Sequence, residues 1–397
     1  MWNAGQRLHS TLDEAVRRYP DDPEVWYELG EARYHVGFGA GASVTQTQVL
    51  DAFDRAVALD SGFAPALVSH TIECALRLQD VARARRYARA FLALGRDADY
   101  FPVVAFVANR LDSDRPDRRA GDSMLVAMSD GTLSHTLYQL NGWPDTAELE
   151  IAVARRLYDR DSTALWSLAW ALTYRGHLRE ALPKTVVLYW LWGQLAVAGV
   201  VPPDTAGGRF ALWLRQGEPW AGLALPWWSV RNDTISLLAF LRRAEAALRA
   251  APRPRGDPFD QLGAWRYFGA AARAYLALAH RDTIDALKGF LALPDSVCAG
   301  CPPLTRLVTA RLLGASRRDA EEAALLNRDV RPDAPVVDEP LWALERGRVN
   351  ERLGNRTKAV AAYRFVAAVW VHADSQLQPY VAEARAALAR LSAEPRQ

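Results

Sequence analysis

The sequence predicts an all-α fold, a helical-repeat solenoid of about eight helix pairs running as one body through residues 1–397. Three observations lead there. Six short segments recur as polar or glycine breaks in front of a fresh apolar-periodic run: 78–84 (LQDVARA), 175–181 (RGHLREA), 231–237 (RNDTISL), 280–286 (HRDTIDA), 313–320 (LGASRRDA) and 353–359 (LGNRTKA). Several carry Asp or Thr where a helix N-cap wants an acceptor. Their spacing also repeats, with Val49 to Ala84 at 35 residues, Ala286 to Ala320 at 34 and Ala320 to Ala359 at 39. Finally, the chain exceeds one ordinary core yet shows no linker, which suits a core that grows by stacking.

Composition narrows the function classes. Half the residues are hydrophobic and 24% are charged, the balance of a folded protein and not of a disordered one. Only Lys184, Lys288 and Lys358 are lysines, an arginine bias that a GC-rich genome explains. A net charge of +2 leaves no broad basic field, so no nucleic-acid partner is expected. The start, MWNAGQRLHSTLDEAVRRY, has no apolar run and enters an amphipathic pattern at once. That predicts a cytoplasmic location, or an extracytoplasmic one if a parent protein has a transmembrane helix upstream. Residues 185–203 (TVVLYWLWGQLAVAGVVPP) carry no charge, but Gly193, Gln194 and Gly199 interrupt a run at the lower length limit for a span. A helix buried between neighbours is the expectation there, with no membrane span.

Along the chain, 20–95 reads as regular repeats and opens with WYELGEARY at 26–34. An insertion follows, HVGFGAGASVTQTQ, whose Gly37, Gly39 and Gly41 sit between helices. A phosphate-cradling loop needs a strand before it, so an enlarged inter-helix loop is expected. Residues 96–182 carry weaker repeats, with helices near 100–110, 118–129, 132–141 and 145–159. The connector DSDRPDRR holds Asp112, Asp114 and Asp117 without the glycine and distal glutamate of a calcium loop. In 183–250 the spacing fails: Ala181 to Leu237 is 56 residues, and nine of the fourteen tryptophans lie between 143 and 228. An extra helix around 204–215 accounts for this, with the aromatics sealing an irregular joint. Regular repeats resume at 258–372, interrupted by RPDAPVVDEP, and 374–393 reads as a solvating cap helix.

The last repeat, 341–370, is LWALERGRVNERLGNRTKAVAAYRFVAAVW. Gly354 and Asn355 break it into two helices. Ala359 stands where these cross, and Tyr363 one turn later fills the groove. At 26–34, Trp26, Leu29, Gly30 and Tyr34 match W-x2-L-G-x2-Y with the last aromatic one place late. These residues resemble the tetratricopeptide repeat (TPR) family, strongly in 20–95 and 260–371 and weakly between. The stretch 341–391 also resembles the C-terminal repeat region of bacterial serine/threonine protein kinases. It is similar, too, to regions that follow the DNA-binding domains of some bacterial transcriptional activators. The resemblance implies a sensor or docking module that meets a protein or peptide partner, with the effector domain elsewhere. It implies no catalysis, because the kinase signatures are missing. His280-Arg281-Asp282 spells HRD, but Leu287 stands where the catalytic asparagine belongs.

Chemistry-bearing constellations are few. Cys298 and Cys301 form a C-x-x-C that fits inert loop thiols, a small-loop disulfide, redox exchange or half of a metal site. Cys74 is the remaining cysteine, and no histidines pair at ligand spacing, so no zinc site is expected. The seven histidines (9, 35, 70, 135, 177, 280 and 372) read as capped or surface residues. Glu321 and Glu322 stand beside Arg317 and Arg318, which predicts ion pairing along the helix. No G-x-S-x-G elbow or Walker lysine occurs. The expectation is therefore a non-enzymatic scaffold without cofactors. The alternative is a small-ligand or thiol-redox protein built on the tryptophan cluster or on Cys298 and Cys301.

The expected binding surface follows from the register. If Ala181 opens a second helix, Leu165, Leu168, Ala169 and Leu172 pack inward, and Trp166, Trp170 and Tyr174 project at i, i+4 and i+8 as peptide anchors. In the last unit Arg348 and Arg352 hold equivalent places and could meet a partner's carboxylates. The same pattern fits tryptophans that pack on the next repeat, and arginines that Glu345 and Glu351 neutralise.

Overall fold

In the computed structural model the described residues are 2–36, 44–68, 70–96, 99–111, 118–141, 143–184, 193, 195–250, 261–294, 303–327 and 339–393. Every regular element among them is an α- or 3-10 helix, with no strand. They divide into two compact units, one up to Ala171 and one from Leu172 onward. In each, helices adjacent in sequence pack against one another in pairs, the all-α repeat architecture that the turn pattern predicts. No described helix is long and apolar enough to cross a membrane. Residues 185–192 and 194 of the uncharged stretch 185–203 lie outside the described residues, as do Gly37, Gly39 and Gly41.

The first unit is built on helix pairs that begin with strong local signals. Thr45 caps Gln46–Leu59 through a reciprocal box with Gln48, which satisfies two orphan N–H groups at once. Gly30, on Pro23–Val36, lies against the ring of Phe53; a Cβ there would fall 2.6 Å from Phe53 Cε1. Val49 and Phe53 are completely buried at this crossing. Thr71–Arg77 and Val81–Leu94 form the next pair, joined at the N-cap Asp80. The four expected helices of the weaker stretch appear as Phe101–Leu111, Arg118–Ala127, Asp130–Asn141 and Ala147–Arg160.

All six predicted turns are one backbone motif. Each places a single residue at positive φ: Gln79 (58°), Gly176 (84°), Asn232 (56°), Arg281 (63°), Arg317 (59°) and Gly354 (73°). The next residue donates its N–H to the carbonyl five places back, as Asp80 does to Ala75 (2.9 Å), His177 to Leu172 (2.8 Å) and Asn355 to Asn350 (2.7 Å). Asp233, Asp282 and Arg318 do the same, to Trp228, Ala277 and Leu313. This is the Schellman stop, which consumes helix-end carbonyls and aims the chain into the next helix. The residue after the left-handed one then accepts the first N–H of the new helix, from Ala84, Ala181, Leu237, Ala286, Glu322 and Ala359 in turn.

That register corrects one reading. Ala320 is not the equivalent of Ala286 and Ala359; Glu322 is. Measured between left-handed residues, Arg281 to Arg317 is 36 and Arg317 to Gly354 is 37, in place of 34 and 39. The turn geometry, and not the nearest alanine, sets the phase.

In the second unit the interrupting helix runs Pro203–Gln216, started by proline at its first turn and stopped by left-handed Gly217. Beside it the aromatic rings pack in series. Phe210 lies 5.3 Å from Trp213, 5.2 Å from Trp227 and 6.2 Å from Trp228, while Phe240 lies 5.5 Å from Trp265. Trp190 and Trp192 are outside the described residues. The expected cap helix is Gln378–Ala393.

The same unit closes on itself. Tyr174 accepts at its carbonyl from Trp370 Nε1 (3.0 Å), and Gly176 accepts from the N–H of Asp374 (2.9 Å). Asp374 Oδ2 in turn accepts from the N–H of Arg179 (2.8 Å). These bonds join segments about 195 residues apart.

Candidate functional site

The last three helices, Glu339–Arg352, Arg356–Val369 and Gln378–Ala393, enclose an open cleft of about 450 Å³ lined by Arg348, Glu351, Arg352, Tyr363, Glu383 and Arg390 among others. Its geometry begins with two small residues. Gly347 admits the Tyr363 ring, to which a Cβ would come within 2.5 Å, and Ala359 is fully buried one turn before that tyrosine. Tyr363 then donates to Glu351 Oε2 (2.9 Å), and Arg390 donates to Glu351 Oε1. Burial first, and the bond to Glu351 second, push the Tyr363 phenol well above its usual range.

The arginines of the cleft stand in an interlocked ion network. Arg348 grips Glu383 through two parallel bonds of 2.6 Å and also donates to Glu345 (2.9 Å), which accepts from Arg311 as well (2.8 Å). The fork to Glu383 is the largest influence raising the Arg348 pKa. Arg352 donates to Asp319 (2.9 Å) and to Glu322. Glu322 is almost wholly buried, and desolvation lifts its carboxyl to about 7 although Arg352 pulls the other way. Arg348 and Arg352 are thus brought together, each already holding carboxylates of this chain. An acidic ligand entering here meets preformed guanidinium forks and must exchange for those carboxylates.

The aromatic positions grade from surface to core. Trp166 is 38% exposed, Trp170 is 6% exposed and Tyr174 is 1% exposed. Trp166 stacks on Trp170, with ring centroids 6.3 Å apart and planes 17° from parallel. Tyr174 donates to Glu339 Oε2 (3.1 Å), at the start of the helix that carries Arg348 and Arg352. Cys298 and Cys301 lie outside the described residues.

One constellation escaped the sequence reading. Glu31 and His35, one turn apart on Pro23–Val36, meet His70 at the N-cap of Thr71–Arg77. His35 Nε2 and His70 Nε2 lie 3.4 and 3.7 Å from Glu31 Oε2. The legible signal was the i, i+4 Glu–His pair; the third member arrives only through the packing of successive helices.

No protein-family model matches the chain, and no curated protein matches it in sequence. Among solved structures it is similar to the TPR domain of P58(IPK), at 13% identity and a TM-score of 0.24 over 99% of this chain and 98% of that one. Yeast Tom70 follows at 13% identity and a TM-score of 0.27, over 98% of this chain and 95% of that one. The Naa15/Naa10 assembly bound to HypK-THB gives 13% and 0.23, over 98% and 71%. The chain's own Schellman turns, helix pairs and glycine-to-aromatic crossings define it as a TPR-like helical-repeat protein.

Proposed function

We propose that this chain is a non-enzymatic protein-interaction scaffold, the sensor or docking repeat region of a bacterial signalling protein such as a serine/threonine kinase. The observation that carries the reading is the Trp166–Trp170 stack. A large indole is held at the surface on a buried one, so it offers apolar area with little rotamer entropy left to lose. Tyr174 supports the same helix from within, and Arg348 and Arg352 would meet an acidic partner by exchanging the carboxylates of Glu383, Glu345, Asp319 and Glu322 that they already hold. The resemblance of 341–391 to kinase-associated repeats supports the signalling context. Packing of the described central rings against one another favours a scaffold over a small-ligand pocket.

The test compares two variants in one capture experiment with the full chain as bait. Trp166→Ala is expected to remove a specifically captured partner, at ~2 kcal/mol or more of binding, with the melting temperature almost unmoved. Trp170→Ala is expected to cost ~3–5 kcal/mol of folding stability. Equal capture by wild type and Trp166→Ala at a temperature where both are folded would remove this helix from the interface.

A further inference from the structure

The histidine–carboxylate cluster of the first unit has the geometry of a cation site. One ligand atom from each of Glu31, His35 and His70 lies within 4.8 Å of the others. The 3.4 and 3.7 Å separations from Glu31 Oε2 to the two imidazole nitrogens are close to the edge of a tetrahedron. With metal–ligand bonds of ~2.0–2.1 Å that edge is ~3.3 Å.

The surroundings point the same way. His70 occupies an N-cap position yet makes no capping bond, its ring being turned to the cluster. Tyr34 stacks flat on that ring, with centroids 3.5 Å apart and planes at 10°, so the imidazole plane is fixed. His70 Nδ1 faces Glu73 Oε2 at 3.7 Å, and the Tyr34 hydroxyl donates to the same oxygen (2.8 Å). Glu73 is only 1% exposed, and its Oε1 has no hydrogen-bond partner among the described residues. A buried carboxylate with a bare oxygen is costly, and a divalent charge held at Nε2, the far nitrogen of the imidazole that Glu73 faces, offsets that cost.

We propose that Glu31, His35 and His70 bind a divalent cation of the zinc class. Glu73 is the outer carboxylate that takes the His70 Nδ1 proton in a hydrogen bond and so leaves Nε2 to ligate. Two imidazoles and a carboxylate are the donor set for Zn²⁺, and with Glu73 the two acidic charges balance the ion. Solvent completes the coordination at the open side, where His35 is half exposed. Bound there, the ion ties Pro23–Val36 to Thr71–Arg77, elements of successive helix pairs.

The experiment uses the untagged full chain in a Cys298→Ser, Cys301→Ser background, so that the C-x-x-C thiols take no metal. After chelator treatment, Zn²⁺ is titrated by calorimetry, and Co²⁺ serves as a spectroscopic probe. Expected are saturation at one equivalent, the intense visible bands of a four-coordinate cobalt site, and a melting temperature raised by Zn²⁺. His35→Ala, an exposed position that should leave the fold intact, is expected to abolish both the cobalt bands and the Zn²⁺-dependent stabilisation. Glu73→Gln is expected to weaken binding ~10-fold or more. Lack of saturable Zn²⁺ binding overturns the proposal and leaves Glu31 with its histidines as ordinary ion pairs. So does binding that His35→Ala leaves unchanged.

Discussion

Glu322 holds a place that alanine fills at four of the other five turns, at Ala84, Ala181, Ala286 and Ala359. Gly314 makes room for it, since a Cβ on that glycine would lie 2.6 Å from Glu322 Oε2. Its carboxyl titrates near 4.5 in the unfolded chain and about 7 in the fold, because burial outweighs the pull of Arg352. Between those values the folded state keeps a proton that the unfolded state has lost, so stability falls as pH rises from 4.5 to 7. Glu322→Gln should flatten that part of the stability–pH curve and be the more stable form above pH 7, as read from urea midpoints across the range. An unchanged slope in the variant would mean that Glu322 titrates normally. The sequence shows Glu321 and Glu322 beside two arginines and so predicts pairing for both. Glu321 does pair locally, with Arg318 at 2.6 Å, while Glu322 turns inward to Arg352. Neighbours in a helix differ by about 100° in direction, and only the facing helix decides which one is buried.

At the scale of the element, the six turns share one backbone and differ in what surrounds them. Gln79, Asn232, Arg281 and Arg317 show that side chains are carried at positive φ in this motif, at ~1–2 kcal/mol each. Gly354 has open space around its missing side chain, whereas a Cβ on Gly176 would meet Ala373 Cβ at 2.5 Å and Leu377 Cδ1 at 2.9 Å. Gly354→Ala should therefore cost only the backbone term, ~1 kcal/mol, and Gly176→Ala that term plus overpacking, ~3 kcal/mol or more. Chemical denaturation of the two variants separates these cases, and equal losses would contradict the close approach at Gly176. A search for glycines would have found two of the six turns; the restart of the apolar period revealed all six. The failed spacing between Ala181 and Leu237 made an extra helix legible around 204–215, and the fold bounds it as Pro203–Gln216, with a proline in its first turn and left-handed Gly217 at its end. The phase of the turn at Arg317 was not legible, because alanine is too common here to mark a helix crossing by itself.

For the whole molecule, a linear stack would let each pair answer only to its neighbours, and the second unit does not behave so. Its first segment is clasped by its last, through Trp370 and Asp374. Deleting residues 370–397 should expose amides in 172–181 to hydrogen exchange as well as those of the final helix pair; protection retained at 172–181 would show that the clasp adds nothing. No local pattern foretold it, since the partners of a backbone carbonyl at Tyr174 cannot be read from residues nearby. The clasp also has a temporal side. A ribosome delivers Tyr174 some 196 residues before Trp370, roughly 10–40 s at ordinary rates of synthesis. Closing a loop of that length costs about 5 kcal/mol in chain entropy before any contact repays it. Through that interval the Tyr174–Arg179 segment waits without the residues that will cover it, open to chaperones and to other nascent chains. A nonsense codon at or before position 370 would leave it in that state permanently, so the codons for Trp370 and Asp374 secure a segment translated some 196 residues earlier.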